Sequence, residues 1–193
     1  VEMLREEFPD VRVVANAGNP GFARANNQAL ALCRGQYVLL LNPDTVVLDH
    51  ALDAMVGFMD EHRDVAVLGC RLLNSDGTFQ RWTGGAMPAL WNAACHFLFF
   101  GRILPHALSG HGLFLARDVK HDLEVEWVSG ACMVVRRSAV VDALFDDSIF
   151  MYGEDMELCE RLRRAGQRVV YTPSASIVHH QGSSIRQQSG TVL

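Results

Sequence analysis

The sequence predicts an α/β domain, and three observations support this fold class. Short apolar runs typical of buried strands alternate along the chain with segments whose apolar residues recur at helical spacing. The chain has 193 residues, 49% of them hydrophobic, which is enough for one sizeable core. No internal repeat, low-complexity segment or interdomain linker divides it. We therefore expect a single domain over residues 1–193.

The composition argues against two classes of protein. A net charge of −5 and a pI of about 5.9 do not suit a general nucleic-acid binder, so we expect no nucleic-acid partner. The apolar segment 89–104 is shorter than the roughly 20 residues of a membrane-spanning helix and contains His96 and Arg102. We interpret it as a core helix, with a face resting on a membrane as the alternative. Five cysteines without a CxxC pair favour reduced thiols in a cytoplasmic protein.

The first forty residues predict two helices and two strands. Residues 1–8 resemble the end of a helix ahead of Pro9, and residues 11–16 resemble a short buried strand. A helix over 22–33 follows a glycine-containing loop. The continuous apolar run at 36–42 is typical of a strand inside a parallel sheet.

The next segment predicts a helix over 49–62, a strand over 65–70 and a hairpin over 72–82 that turns at Asn74 to Gly77. The helical residues expected to face inward are Leu52, Met55, Val56 and Met59.

Periodicity weakens between residues 87 and 126, where we expect a helix and a long irregular segment. A strand kinked at Gly130 is predicted over 124–137, followed by a short helix over 138–145.

The stretch from Phe150 to His180 organises the predicted site. After Gly153, the adjacent acids Glu154 and Asp155 lie where a helix should begin, and acids are favoured there by the helix dipole. A buried helical face is expected from Leu158, Leu162 and Ala165, and Gly166 should end the helix. A strand broken by Pro173 then leads to His179 and His180.

Two carboxylates and a histidine are candidate functional groups. Asp44 follows a predicted strand at its carboxyl end, the position where open α/β sheets bind ligands. Asp44 with His179 would suit a borderline divalent ion such as Mn²⁺. The alternatives remain open: Asp44 as a turn residue, His179 as a strand-end residue, and Asp155 as a dipole partner alone.

The segment NAGNPGFARANN, residues 16–27, resembles an anion-facing loop before a helix. It is neither a P-loop nor a dinucleotide fingerprint, because it lacks GK[ST] and GxGxxG. A capped helix with a polar surface is the alternative interpretation.

Five segments, in this order, resemble the inverting glycosyltransferases of family 2, most of all the bacterial rhamnosyltransferase-like branch. They are NPGFARANNQAL, YVLLLNPDT, WVSGACMVVRR, FMYGEDMELCERLRRAG and VVYTPSASIVHH, and they span nearly the whole chain. The resemblance implies a GT-A fold, a Rossmann-type mixed sheet of the nucleotide-diphospho-sugar transferase kind flanked by helices.

By this resemblance, NPD takes the place of the family's DXD motif. Asp44 would hold Mn²⁺ or Mg²⁺ together with His179, and Asn42 stands where the family often has an acid. Asp155 would be the general base, with Glu154 beside it.

The resemblance also implies a sugar pocket and a donor-binding set. The residues expected to line the acceptor and sugar pocket are Trp127, Ser129 and Gly130. The residues expected to bind the donor are Asn16, Asn19, Gly21, Arg24, Asn27, Asn42 and Asp44.

The implied reaction is one inverting displacement from a nucleotide-sugar donor, dTDP-rhamnose being one example, to a saccharide or lipid-linked acceptor in bacterial cell-surface polysaccharide synthesis. Peripheral contact with the inner face of the plasma membrane and a homodimer stay open. The resemblance further implies that the family's first strands, with much of the nucleobase pocket, are missing ahead of residues 11–16, so we expect weak donor binding by this chain alone.

Two other functions remain as alternatives. The missing strands and Asn42 would suit a non-catalytic binding or scaffold relative in a polysaccharide-assembly complex. Asp44, Asp155 and His179 would also suit a metal-dependent phosphohydrolase, although the chain lacks the additional clustered His and Asp of a two-metal centre.

Overall fold

The structure is a computed structural model, which describes residues 1–88, 113–115, 117–150 and 152–180. Its elements in chain order are α1 (Glu2–Glu7), α2 (Phe22–Leu30), β1 (Tyr37–Leu41), β2 (Thr45–Val47), α3 (Ala51–Glu61), β3 (Val65–Leu73), β4 (Gly84–Gly85), β5 (Leu123–Glu124), β6 (Trp127–Val128), β7 (Cys132–Arg136), α4 (Glu154–Arg164) and β8 (Arg168–His179). Single 3₁₀ turns cover Arg81–Thr83 and Arg137–Ala139.

Strand β8 is paired on both of its edges in a mixed sheet. Within the described ranges, six strands form this sheet, in the spatial order β1, β7, β3, β8 and β2, with β5 also beside β8. Strands β3 and β8 are parallel, and the other neighbouring pairs are antiparallel. Strands β4 and β6 form a small antiparallel sheet of their own.

Apolar residues pack on both faces of the main sheet. Helix α3 buries Met55 and Met59 completely against one face, in a cluster that includes Leu68 of β3. Helices α2 and α4 cover the opposite face, where Leu158 packs in a cluster with Val67 of β3. Neighbouring residues of β3 thus point to opposite faces, as the strand geometry requires. The predicted α/β architecture is confirmed.

A buried arginine joins α3 to the sheet. Arg136 is 9% exposed, and its guanidinium donates hydrogen bonds to the carbonyls of Met59 (2.7 Å), His62 (3.0 Å) and Val65 (3.0 Å). Carbonyls at a helix C-terminus have no partner within the helix. Arg136 supplies that partner, and its guanidinium also lies over the ring of Tyr37, 5.2 Å from the ring centroid.

Pro173 does not end the last strand, contrary to the prediction. The pairing of β8 with β3 shifts between Thr172, which faces Cys70, and Ser176, which faces Arg71. Proline has no N–H for the ladder, so the chain bulges there and then resumes pairing. The strand therefore continues to His179.

Three predictions for the first half of the chain need correction. Residues 11–16 form no strand, because nothing in the described chain pairs with them, and Val11 and Val14 are exposed. Strand β1 pairs antiparallel with β7 and is half exposed, so it is not inside a parallel sheet. Leu52 and Val56 of α3 are exposed, since the buried positions of this helix are Ala51, Met55 and Met59.

The second half also differs from its predicted elements. The single strand expected over 124–137 is divided into β5, β6 and β7, since the chain changes sheets at each break. The helix expected over 138–145 is reduced to the 3₁₀ turn at Arg137–Ala139. Ala165 caps α4 and is exposed. The helix expected at 89–104 and most of the irregular segment lie outside the described residues.

Gly69→Ala is expected to destabilise the protein by about 2 kcal/mol, because overpacking a core strains it. A Cβ on Gly69 of β3 would lie 2.6 Å from the Cβ of Val128, which is completely buried. Urea denaturation measures the change in the free energy of unfolding.

Gly57→Ala is the matched control. A Cβ on Gly57, within α3, meets no atom within 4 Å, so this variant should gain up to about 1 kcal/mol from helix propensity. Equal effects of the two substitutions would contradict the close packing of β3 against β6.

Candidate active site

Strand pairing brings Asp44 and His179 together. Strand β1 ends at Leu41, a turn carries Asp44, and β2 then pairs antiparallel with the end of β8, with Thr45 opposite His179. The Asp44 Oδ1 and His179 Nε2 atoms are 3.4 Å apart, and the two side chains are 14% and 12% exposed. The sequence predicted that these residues belong to one site, and the structure places them side by side. Their role as metal ligands stays a prediction.

Gln80 fixes the orientation of the His179 ring. Its amide nitrogen donates to Asn74 Oδ1 (3.0 Å) and to the His179 carbonyl (3.2 Å), so its oxygen is the atom left to face His179 Nδ1 at 2.9 Å. An amide oxygen accepts a hydrogen bond, which requires the proton on Nδ1. In the neutral ring, the lone pair of Nε2 then points towards Asp44. Hydrogen bonding to the second ring nitrogen is how metal-binding histidines are held in proteins.

The pair has the character of a cation site. Burial lowers the pKa of His179, an effect that the Asp44 carboxylate partly opposes. A neutral imidazole and a carboxylate are two acceptors in close contact, and a divalent cation between acceptors stabilises such an arrangement. Within the described ranges, no group of three or more His, Cys, Asp and Glu residues could hold a metal ion. A metal ion at Asp44 and His179 would need oxygen atoms of a bound ligand to complete its coordination.

Asp155 lies in the first turn of α4, held by two backbone N–H groups. Its Oδ2 accepts from Gly130 N (3.0 Å) and its Oδ1 from Met156 N (2.9 Å). The side chain is partly buried, and this burial raises the pKa of Asp155, against the opposing effect of the two hydrogen bonds. A fixed carboxylate with a raised pKa has the properties of a general base.

The loop of Ser129, Gly130 and Ala131 connects the two halves of the site. On one side, the Ala131 carbonyl accepts from Asn42 N (2.9 Å) in the turn that carries Asp44. On the other side, Gly130 N donates to Asp155. The loop itself is tied by a hydrogen bond from Ala131 N to Ser129 Oγ (3.2 Å). Asp44 and Asp155 therefore flank one short loop at the same edge of the fold.

Glu154 has an unusual environment for a carboxylate. Its Oε2 is buried and has no hydrogen-bond partner among the described residues. Burial is the largest cause that raises the pKa of Glu154, and the neighbouring Asp155 raises it further. The catalytic role predicted for Glu154 stays a prediction.

Trp127 differs from the expectation for a pocket-lining residue. Its side chain is 3% exposed, packs in the core and donates from Nε1 to the Ala86 carbonyl (3.0 Å). The ring is therefore a core element beneath the loop at 129–131, since a large apolar ring gains most from full burial. Ser129 and Gly130 are partly exposed at that loop, and their contact with a sugar stays a prediction.

The loop expected to bind a donor is mostly exposed. Asn19 Oδ1 accepts from Gly21 N (3.0 Å), and Gly21 is the N-cap residue of α2, with a φ of 84°. Arg24 is 61% exposed, 4.0 Å from an Asp147 carboxylate oxygen.

The Asn27 side chain anchors α2 to the segment that contains Phe145 and Asp147. It accepts from Phe145 N (3.0 Å) and donates to the Phe145 carbonyl (2.9 Å) and to Asp147 (2.7 Å), which anchors α2 to that segment. Asn16 is exposed. Donor binding by Asn16, Asn19, Gly21, Arg24, Asn27 and Asn42 stays a prediction.

Sequence reasoning missed Gln80 and Asn74 as supports of His179. Gln80 lies in the second arm of the predicted hairpin, separated from His179 by 99 positions. Nothing in the sequence signals this contact, because it arises where the hairpin folds back over the end of β8.

The fold defines the general class of the protein. The crystal structure of GalNAc-T7 with UDP, GalNAc and Mn²⁺ matches with a TM-score of 0.62 and 13% identity, over 93% of this chain and 34% of that one. The fold is thus of the GT-A kind, as predicted. The described residues include no helix long and apolar enough to cross a membrane.

The family follows from the sequence comparison. The model of Glycosyl transferase family 2 matches residues 1–142, and the chain belongs to this family. The N-acetylglucosaminyl-diphospho-decaprenol L-rhamnosyltransferase of Mycobacterium tuberculosis is 29% identical over 93% of this chain and 62% of its own length. The rhamnosyltransferase WbbL of Escherichia coli K12 is 27% identical over 86% of this chain and 62% of its own length. The chain thus spans less than two thirds of these relatives, and the predicted resemblance to the rhamnosyltransferase branch is confirmed.

The pKa of His179 is expected to lie below its ordinary value of 6.5, because burial penalises the charged ring. Asp44→Asn should lower it further, since the Asp44 carboxylate favours the imidazolium. Histidine NMR titration of both proteins measures the two values, and His179→Gln assigns the signal. A pKa that rises in Asp44→Asn would contradict the contact.

The same shift has a consequence for stability. Because the folded pKa is lower than the unfolded one, protonation of His179 favours the unfolded chain. The contribution of neutral His179 to the free energy of unfolding is fully present above the unfolded pKa. It declines as the pH falls from the unfolded pKa to the folded pKa. Urea titrations of the protein and of His179→Gln across this window measure the difference.

Proposed function

We propose that this chain is the catalytic domain of an inverting, metal-dependent glycosyltransferase. It transfers a sugar from a nucleotide-diphosphate donor to a hydroxyl of a saccharide or lipid-linked acceptor in bacterial cell-surface polysaccharide synthesis. The rhamnosyltransferase relatives make dTDP-rhamnose the first donor to test. A related O-antigen biosynthesis protein, RfbC of Myxococcus xanthus, is 31% identical over 95% of this chain and 14% of its own length, which supports the polysaccharide context.

One observation supports this proposal most strongly. A carboxylate with a raised pKa, Asp155, and an acceptor pair suited to a divalent cation, Asp44 with His179, flank the same loop. Glycosyl transfer from a nucleotide sugar needs these two functions together, because one group must take a proton from the acceptor and another must stabilise the departing diphosphate.

Asp155 acts as the general base. The acceptor hydroxyl transfers its proton to a carboxylate oxygen of Asp155 while its own oxygen forms a bond to the anomeric carbon of the donor sugar. The bond between that carbon and the diphosphate oxygen breaks, and the electron pair leaves with the diphosphate. One displacement from the opposite face inverts the configuration. The hydrogen bonds from Gly130 and Met156 hold the carboxylate in a fixed orientation, which favours the reactive geometry.

Asp44 and His179 would hold the metal ion. An imidazole with a carboxylate suits Mn²⁺ better than Mg²⁺, which prefers oxygen ligands alone. When bound, the ion supplies charge neutralisation to the leaving diphosphate. Gln80 maintains the ring tautomer that presents Nε2, and the low pKa of His179 keeps the ring neutral and able to bind metal at neutral pH.

Asp155→Asn is expected to reduce sugar transfer by about 10³-fold, because general-base catalysis contributes roughly 10² to 10⁴ in rate. Folding should be retained, since the amide removes the cost of a buried charge while keeping one acceptor for the two N–H groups. A radiolabelled-sugar transfer assay measures the rate, and thermal unfolding checks the fold.

Asp142→Asn is the matched control, an exposed carboxylate ahead of the same helix that should leave transfer unchanged. An undiminished rate in Asp155→Asn would overturn the assignment of the base. A wild-type protein that transfers no nucleotide sugar to any acceptor would favour the scaffold alternative.

Calorimetric titration with dTDP, UDP and GDP, each with and without Mn²⁺, is expected to identify one nucleotide that binds only with the metal. Asp44→Asn should abolish the metal-dependent part, because it removes one of the two protein ligands. Equal binding of the nucleotide with and without Mn²⁺ would contradict the metal site and leave the base assignment standing.

A further inference from the structure

Trp82 is an exposed aromatic residue next to the candidate site. It lies in the 3₁₀ turn Arg81–Thr83, and 56% of its surface is exposed to solvent. A tryptophan side chain gains more from burial than almost any other, so an exposed one that is held in place calls for a physical reason. Its sequence position gave no indication of a role.

An aromatic stack holds the Trp82 ring. The ring centroids of Trp82 and Phe114 are 4.0 Å apart, and Phe114 in turn meets Trp127 edge to face at 6.1 Å. Trp127 is a core residue. The exposed indole is therefore the outermost of three rings in contact, the first of which lies in the core. Phe114 packs against one side of the indole, and the indole remains exposed to solvent.

The turn that carries Trp82 is bonded to both halves of the site. On one side of it, the Gln80 side chain holds His179. On the other side, the Thr83 carbonyl accepts from Ser129 N (3.0 Å), next to the Gly130 that binds Asp155. The Thr83 hydroxyl also bonds the Gln80 carbonyl (2.5 Å), which closes the turn. The residues on either side of Trp82 are thereby bonded to His179 and to the loop that holds Asp155.

We propose that Trp82 is a specificity-determining residue for the acceptor, and that its indole packs against the apolar C–H face of the acceptor pyranose. This inference rests on the proposed function. A pyranose ring offers a flat apolar face with hydroxyls at its rim. Burying that face on an indole removes apolar surface from water, while the rim hydroxyls stay free to reach the polar groups of the site.

The acceptor fits this position better than the donor does. The donor diphosphate belongs at Asp44 and His179, and Gln80 lies behind that histidine. The acceptor hydroxyl must reach Asp155, and Trp82 is joined to the loop that binds Asp155 through Thr83 and Ser129. A sugar whose hydroxyl meets Asp155 thus has its ring next to the loop to which the Trp82 turn is bonded.

The test is steady-state kinetics of the full chain, with dTDP-rhamnose as donor and a short-chain polyprenyl-diphosphate-linked N-acetylglucosamine as acceptor probe. Trp82→Ala should raise the acceptor KM by about tenfold or more, with kcat and the donor KM near wild type. Trp82→Phe should keep most of the acceptor affinity, because it retains an aromatic face.

Two further measurements separate a binding role from a structural one. Hydrolysis of the donor without acceptor should be equal in Trp82→Ala and wild type, which a general disturbance of the site would not allow. Acceptor binding should change the intrinsic tryptophan fluorescence of the wild-type protein, and that change should be absent in Trp82→Phe. Phe8→Ala removes another exposed aromatic, at the end of α1, and should leave all values unchanged.

The outcomes distinguish this inference from the proposed function. An active wild type with unchanged acceptor KM in Trp82→Ala would overturn the inference and leave the proposed function standing. An increase in donor KM alone would also overturn it, since it would assign Trp82 to the donor. A wild type without transfer activity would overturn the proposed function, and the inference with it.

Discussion

The pairing of strand β8 on both of its edges is the constraint on which the structure depends. One edge follows β3 in parallel along almost the whole strand, and the other pairs with β5 and then with β2. Its side chains supply both apolar clusters, Tyr171 on one face and Ile177 on the other, each completely buried. The irregularity at Pro173 lets the strand satisfy two registers with β3 without ending. Without the residues after that bulge, β3 would still pair with the first part of β8, but β2 would lose its pairing with β8.

The candidate site inherits its geometry from this arrangement. His179 is the last residue of β8, and the backbone around it is fixed by the ladder with β2, including a hydrogen bond from His180 N to the Asp44 carbonyl (2.8 Å). Asp155 is fixed independently, by its place in the first turn of α4. The short loop of Ser129 to Ala131 bonds Asp155 through Gly130 N and the turn that carries Asp44 through the Ala131 carbonyl. The geometry of the site therefore comes from backbone hydrogen bonds, which tolerate little displacement. Core packing that includes Trp127 keeps the loop in place.

Much of this could be predicted from the sequence, and the failures have physical causes. The helix with Glu154 and Asp155 was predictable because capping, spacing and the dipole all act within a few residues. The proximity of Asp44 and His179 was predictable from the family's motifs. The direction and exposure of β1, the division of residues 124–137 among three strands, and the contact of Gln80 with His179 all depend on pairing between distant segments, which leaves no local pattern. The exposed Leu52 and Val56 show the related limit for helices: periodicity indicates that a face is apolar, and only packing decides how wide the buried part is.

The position of His179 at the end of the last described strand also bears on how the protein folds. The parallel pairing of β3 with β8 and the antiparallel pairing of β2 with β8 join early and late parts of the chain, so their loop-closure entropy is large and they form slowly. During synthesis, the Asp44 turn leaves the ribosome long before its partner histidine. A nascent chain can form α3 from local contacts, whereas β3 needs the later strands β7 and β8, and the candidate metal pair exists only once β8 has been added. The contact of Asp44 with His179 is therefore a late event, and it distinguishes a chain in which β8 has paired from one in which it has not.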